Sequence, residues 1–313
     1  MIRRAKIVFA FVGVLLLAGA IRSRQPSDPL DNLLQSAEEW ARENLDESVL
    51  QALDQIDQER VRDFFSNLQR SLESSSVYDL AALKDTARGL LPLLSRFDET
   101  YPYAVWLQTR LDYLEAAEEL QPKLPVPPGK RGAPAPVAPP QALQRTVWEK
   151  KLNPRPLPPR AQAFVPRLKT IFAAEKVPPE LVWVAEVESS FDPRAKSPAG
   201  AAGMFQLMKP TAKSLGLSTW LPDDRFNPEK SGRAAAKYLR YLHQRFGDWR
   251  LALAAYNVGE SRVQALLKKS STRSFDAIAS HLPAETQLYV PKCEATLRKR
   301  EGRSLSELRA PTG

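Results

Sequence analysis

The chain has 313 residues, 43% of them hydrophobic, which is enough to bury two cores and too apolar for wholesale disorder. A single cysteine, Cys293, excludes an intrachain disulfide, and with only two histidines, His243 and His281, there is no ligand-spaced metal cluster, so neither metal nor cofactor is expected. The net charge of +9 divides as +5 over residues 1–24, −12 over 25–120 and +16 over 121–313; the basic portion attracts polyanions, yet no groove-reading motif accompanies it, and nucleic acid is not the expected partner.

Residues 1–24 read as an export segment. Arg3, Arg4 and Lys6 precede an apolar run from Ile7 to Ile21. That run is short against the roughly 20 residues of a membrane-spanning helix and suits the apolar core of a signal peptide. Ala18-Gly19-Ala20 fits a small-x-small cleavage site. A cleaved signal peptide is expected, with an uncleaved N-terminal membrane anchor, residues 7–21, as the alternative. Both place the rest of the chain in the periplasm or cell envelope.

Residues 25–121 read as a helical accessory domain. After the Asp28-Pro29 start, Leu30, Leu33, Leu34, Ala37 and Trp40 recur at helical spacing. A second helix carries apolar residues from Val49 to Leu72 and breaks at Ser74-Ser75-Ser76. A third runs from about Asp79 to Phe97, with a kink expected at Pro92, and a fourth from near Tyr103 to Pro122. The product is a four-helix bundle or two stacked hairpins with no visible catalytic group; a solvated acidic face is the plain reading and a protein partner the sharper one. Residues 122–159 hold 12 of the 27 prolines and read as a semi-rigid linker, with Thr146-Val147-Trp148 docking locally on the domain after it.

Residues 160–302 form a second helical domain, followed by a polar tail, 303–313, so the fold class is all-α. Ala161 to Glu175 is its entry helix. Pro179 then suits a first helical position, and Leu181, Val182, Val184, Ala185 and Val187 cover most of a helix surface, as in a buried helix. Glu188 ends that helix. Burial and the negative helix end both disfavour its ionised form, which keeps a carboxylic acid protonated near neutral pH. The glycines of Ser197-Pro198-Ala199-Gly200-Ala201-Ala202-Gly203 allow close approach of a ligand to the backbone, and Gln206 sets an amide in an apolar run. Farther on, Asn227-Pro228 opens a helix that Gly247 closes, Trp249 to Tyr256 is a short apolar helix, and Pro283-Ala284-Glu285-Thr286 opens the last long one.

Four blocks along this domain resemble the signatures of the lytic transglycosylases, the soluble-transglycosylase catalytic domain related to goose-type lysozyme. They are Glu188-Ser189-Ser190-Phe191, Ser197-Pro198-x-Gly200-Ala201-x-Gly203-x-x-Gln206-x-Met208, Ala255-Tyr256-Asn257-x-Gly259 and Glu285-Thr286-x-x-Tyr289-Val290. The context Asp223-x-Arg225-x-Asn227-Pro228 and Phe246-Gly247-Asp248-Trp249 is similar to the membrane-bound lytic transglycosylase D group. The resemblance implies a lysozyme-like fold and cleavage of peptidoglycan between N-acetylmuramic acid and N-acetylglucosamine with formation of 1,6-anhydromuramic acid. Glu188 would serve as the single general acid and base. It further implies substrate contacts from Ser197, Gln206, Met208, Tyr256, Asn257, Glu285 and Tyr289, with the Tyr256 hydroxyl holding Glu188. Asn257 also suits a helix C-cap, and Ser197 a turn. Phe205 and the Glu260-Ser261 pair depart from the family pattern and are expected to reshape the groove. Two alternatives accompany this reading: a hydrolytic muramidase on the same fold, and a non-catalytic wall-binding scaffold. The partners expected are peptidoglycan strands, a membrane through the N-terminal segment, and a protein for the accessory domain.

Overall fold

The computed structural model describes residues 58–121, apart from Phe97 and Glu99, and residues 139–311. The export segment and the first accessory helix lie outside the described residues.

Helix α1, Gln58–Glu73, buries Phe64, Phe65, Leu68 and Leu72 on one face and exposes Asp63, Arg70 and Glu73. The serine break ends it as expected, with Ser74 Oγ donating to the Ser71 carbonyl. A 3-10 segment, Val77–Leu83, leads into α2, Lys84–Ser95, which carries Pro92 in its last turn. Helix α3, Tyr101–Leu120, is buried almost all round, from Ala104 and Trp106 to Leu114 and Leu120.

Helix α4, Gln141–Leu152, lies within the stretch expected to be linker. Between Pro140 and Pro154 there is no proline, and Val147, Trp148 and Leu152 fall on one buried face. The docking expected of Thr146 to Trp148 is therefore part of a regular helix packed on α3 and on the last helix, α12.

Helix α5, Ala161–Ala174, precedes a 3-10 turn, Pro179–Trp183, and the six-residue α6, Val184–Ser189. Helices α7, Lys209–Ser214, and α8, Pro228–Phe246, come next. Asn227 caps α8 by accepting the amides of Glu229 and Lys230, and Gly247 closes it at φ 73. Asp248 caps α9, Trp249–Val258, through the Leu251 amide. Then come α10, Glu260–Lys269, α11, Phe275–Ile278, and α12, Ala284–Glu301. Among the described residues there is no strand, only isolated bridges of Ala202 with Lys196 and Leu207.

Residues 58–121 do not stand apart as a domain of their own. Their buried side chains and those of α4 to α12 form one continuous apolar cluster. Helix α3 packs on α4 and α6, and α12 packs on α1, α4, α6 and α9. The physical reason is that α3 and α12 are buried on most sides, polar positions such as Arg110, Asp112, Gln287 and Lys292 included, so each needs neighbours that a free-standing hairpin cannot provide. A buried ion triad fastens the two halves. Asp112 of α3 accepts from both Arg155 terminal nitrogens at 2.7 and 2.5 Å and from Lys292 of α12 at 2.8 Å. Lys292 and Arg155 outweigh the burial of Asp112 and hold its carboxyl down at about 2.

Candidate active site

The acid is positioned by a tight helix stop. Ser190 and Phe191 both turn left-handed, at φ 52 and 62. The Phe191 amide reaches back to the Ala185 carbonyl and the Ser190 amide to that of Glu186. Phe191 is fully buried, edge-on to Trp183 at 5.7 Å, which holds the strained pair in place. Ser189 Oγ donates to the Met204 carbonyl at 2.8 Å and ties α6 to the next loop. Glu188, in the last turn, thereby faces a cleft of about 180 Å³, far above the roughly 10–15 Å³ that a cavity needs to hold one water.

Glu188 is only 3% exposed. The Tyr289 hydroxyl donates to its Oε1 at 2.8 Å, and the Arg110 guanidinium lies 3.7 Å from its Oε2. Burial pushes its carboxyl up to about 7; Arg110 and the Tyr289 hydrogen bond oppose the rise, and Glu285 adds to it. A group with that value carries a proton at neutral pH and can also release it. Burial drives the hydroxyls of Tyr256 and Tyr289 well above their ordinary range and the Cys293 thiol upward, so all three are neutral beside it.

The structure brings Ser197, Gln206, Met208, Tyr256, Asn257 and Glu285 to this one cleft. Tyr289 is not on its surface: fully buried, it sits behind Glu188. The holding role expected of Tyr256 therefore falls to Tyr289. The Tyr256 hydroxyl donates instead to the Phe205 carbonyl at 2.7 Å and fixes the cleft loop. Asn257 is not a cap; Gly259 ends α9, and Asn257 Oδ1 accepts from Thr286 at 2.6 Å across to α12. Ser197 Oγ accepts the Ala201 amide at 2.9 Å, a turn contact made at the cleft edge. Met208, 42% exposed, is rim rather than core.

Gln206 sits at φ 46, held by its own amide group: Nε2 donates to the carbonyls of Ala195 and Gly203 at 3.1 and 2.9 Å. Its Oε1 is buried without a partner among the described residues. The close approach expected of the glycines is to the chain itself. A Cβ on Gly203, at φ 79, would meet the Arg225 carbonyl oxygen at 1.8 Å. Arg225 in turn donates to the carbonyls of Gly200 and Leu207 at 2.8 and 3.1 Å, clamping the loop. Phe205 points away from the groove and packs on Phe172 with ring centroids 5.8 Å apart.

The two other acids close to Glu188 in sequence are committed elsewhere. Glu186 is paired with Arg300 at 2.9 and 2.7 Å, and Asp192 with Arg160 at 2.7 Å and the Tyr101 hydroxyl at 3.0 Å. Among the described residues no group of three or more His, Cys, Asp or Glu side chains is gathered to hold a metal ion.

The part of the chain expected to be free of site residues supplies one wall. Gln69, Leu72 and Glu73 of α1 and Trp106 and Arg110 of α3 line the cleft. Arg110 is the residue that the sequence reading missed. A partial signal was present: Arg110 and Asp112 lie among Trp106, Leu107, Leu111, Tyr113 and Leu114, and charges in such an apolar stretch are buried with partners.

Residues 170–279 match the family model described as the transglycosylase SLT domain. Over 137 residues, 42% of this chain and 30% of the relative, the sequence is 39% identical to the membrane-bound lytic murein transglycosylase D of Escherichia coli strain K12. Over 160 residues, 49% of this chain and 77% of the relative, it is 31% identical to a putative tributyltin chloride resistance protein of Alteromonas sp. strain M-1. Among solved structures it is similar to the 70 kDa soluble lytic transglycosylase of Escherichia coli, with a TM-score of 0.43 and 21% identity over 80% of this chain and 42% of the other. The chain spans about a third of the length of the first of these relatives. Arg110, Glu285 and Tyr289 lie outside the residues matched by the family model. That match takes in Glu188, the cleft loop and α9, so the chain carries a transglycosylase SLT domain over residues 170–279.

Proposed function

We propose that the protein is a lytic transglycosylase that cleaves peptidoglycan glycan strands, with Glu188 as both acid and base. The observation that carries this reading is the state of Glu188: 3% exposed, bonded to the Tyr289 hydroxyl, facing a cleft, with its carboxyl at about 7. Protonated Glu188 gives its proton to the glycosidic oxygen between N-acetylmuramic acid and N-acetylglucosamine as the C1–O bond breaks. The substrate's N-acetyl oxygen stabilises the positive charge at C1. The Glu188 carboxylate then takes the proton of the muramic C6 hydroxyl while that oxygen bonds to C1, so the product is a 1,6-anhydro sugar and no water is consumed. Gln206, with its unpartnered Oε1, and Ser197 suit contacts to sugar hydroxyl and amide groups along the cleft.

The location proposed is the cell envelope, where the substrate is, with the basic Arg3-Arg4-x-Lys6 and apolar start directing export and membrane association. Among the described residues no helix is long and apolar enough to cross a membrane. A hydrolytic reading has one observation in its favour, since Glu285 is a second carboxylate in the cleft. Its Oε1 is occupied by Arg110 at 2.8 Å, so that oxygen is not free to take a proton from water. The test is solubilisation of purified peptidoglycan by the full chain and by Glu188→Gln. Loss of the proton donor lowers the rate on the order of 100- to 10,000-fold; a variant that keeps wild-type activity contradicts the assignment.

A further inference from the structure

We propose that Arg110, carried by α3 outside the family domain, is a positioning residue shared between the carboxyl groups of Glu188 and Glu285, moving toward Glu188 when that group gives up its proton and back when it is regained. The inference rests on the reading of Glu188 as acid and base.

The geometry is asymmetric in the way a proton on Glu188 requires. One guanidinium nitrogen, Nη2, serves both carboxyls: it lies 2.8 Å from Glu285 Oε1 and 3.7 Å from Glu188 Oε2. A neutral Glu188 does not compete for that nitrogen, so the cation settles on Glu285. An ionised Glu188 does compete, and a shift of about 1 Å brings the same nitrogen into charge-assisted hydrogen-bond range. The rest of Arg110 is held for such a movement. Nη1 donates to the Glu188 backbone carbonyl at 3.3 Å and to Thr109 Oγ1 at 3.0 Å, and the guanidinium lies 5.2 Å from the Trp106 ring centroid. Nε is buried with no partner among the described residues. A purely structural arginine, 5% exposed, would gain from satisfying that donor, since a buried unpaired group costs free energy.

The other groups facing Glu188 do not offer this service. Tyr113 on α3, Tyr256 on α9, and Tyr289 and Cys293 on α12 are neutral hydroxyls and a thiol. Lys292 on α12 is committed to Asp112 at 2.8 Å. Among the described residues Glu285 is the acid that bears on the Glu188 carboxyl, while Glu73 of α1 lines the same cleft. Arg110 is thus the available counter-ion when the Glu188 carboxylate forms, and Glu285 is the place that counter-ion waits. The family domain brings the acid, while a helix preceding it brings the cation.

The test is a carbon-13 carboxyl titration of the full chain, with Glu188 assigned as the resonance lost in Glu188→Gln, run alongside the pH–rate profile on peptidoglycan. Arg110→Gln is expected to raise the Glu188 midpoint by about one pH unit and Glu285→Gln to lower it by about one, because one change removes the cation and the other releases it toward Glu188. Arg110→Lys restores part of the shift. In the double variant the effect of Glu285→Gln shrinks, since it acts largely through Arg110. Unchanged midpoints, or shifts in the same direction for both single variants, overturn the proposal. If Arg110→Gln does not fold, Arg110→Lys takes its place: a smaller drop of the Glu188 midpoint on Glu285→Gln in that background than in the wild type upholds the shared cation, and an equal drop, which the lost charge of Glu285 alone would give, overturns it. The titration needs no substrate, so its failure is distinct from a failure of the transglycosylase reading, which the peptidoglycan products report.

Discussion

At the scale of single residues, the chemistry depends on keeping one carboxyl out of water. The folded value of Glu188, about 7, is above its ordinary 4.5, so the folded state holds a proton that the unfolded chain has released. Folding stability from this group is full below about pH 4.5 and is lost as pH rises toward and through 7. The difference amounts to roughly 3 kcal/mol. Glu188→Gln keeps the shape of the protonated acid and has no proton to lose. Urea melts of the two proteins are therefore expected to coincide near pH 4.5 and to separate by roughly that amount above pH 8, with the variant the more stable. Parallel melts at both pH values would contradict the buried-acid account. The sequence showed this residue because three local facts pointed the same way: an apolar helix, a carboxylate at its C-terminal end and a turn immediately after. It did not show which tyrosine holds the acid. Tyr289 is buried and Tyr256 partly buried near it, and the choice depends on how α9 and α12 cross behind α6, which spacing along one helix does not encode.

At the scale of elements, local chemistry set the boundaries that were legible. Asn227, Gly247 and Asp248 act through contacts within a few residues, and each sits where its cap was expected or needed. Helix α4 was hidden because the prolines on both sides of it dominate the composition of residues 122–159. The cleft loop was read as a ligand cradle, yet its glycine requirement comes from long-range packing: Gly203 at φ 79 lies against the Arg225 backbone. A methyl group there has no room and the wrong backbone conformation, so Gly203→Ala is expected to cost on the order of 3 kcal/mol or more and to lower activity by misplacing Gln206. Gly200→Ala, with φ 91 but open space around it, should cost less, on the order of 1 kcal/mol. Thermal melts of the two variants rank the two positions, and the reverse order would contradict the packing.

At the scale of the whole molecule, the site is completed by parts of the chain far apart in sequence. The turn after α1 is bonded to the start of α12, with the Ser74 carbonyl accepting the Ala284 amide at 2.6 Å and the Ser75 carbonyl accepting Gln287 Nε2 at 2.9 Å. These bonds fix α1 and α3 as one wall of the cleft beside Glu285. The buried apolar side chains of α1 to α3 belong to the same apolar cluster as those of the later helices. On the rim of that wall, Gln69 Nε2 donates to Glu73 Oε1 at 3.1 Å. If the wall contacts glycan, Glu73→Ala should weaken binding of peptidoglycan fragments by about 10-fold, the worth of one charged hydrogen bond, while stability stays within about 0.5 kcal/mol. Unchanged affinity would confine substrate contacts to the family domain. Beyond the charges within α3, this wall was not legible in the sequence, because a largely apolar helix announces that it is buried without saying against what.

The most direct test of the central claim is the mass of the products formed from purified peptidoglycan in heavy-oxygen water. Transglycosylation by Glu188 predicts anhydro-muropeptides that contain no solvent oxygen, from the wild-type chain and not from Glu188→Gln. Reducing-end products that carry the heavy oxygen would mean that water, not the C6 hydroxyl, attacks C1, and would contradict the mechanism while directing attention to Glu285.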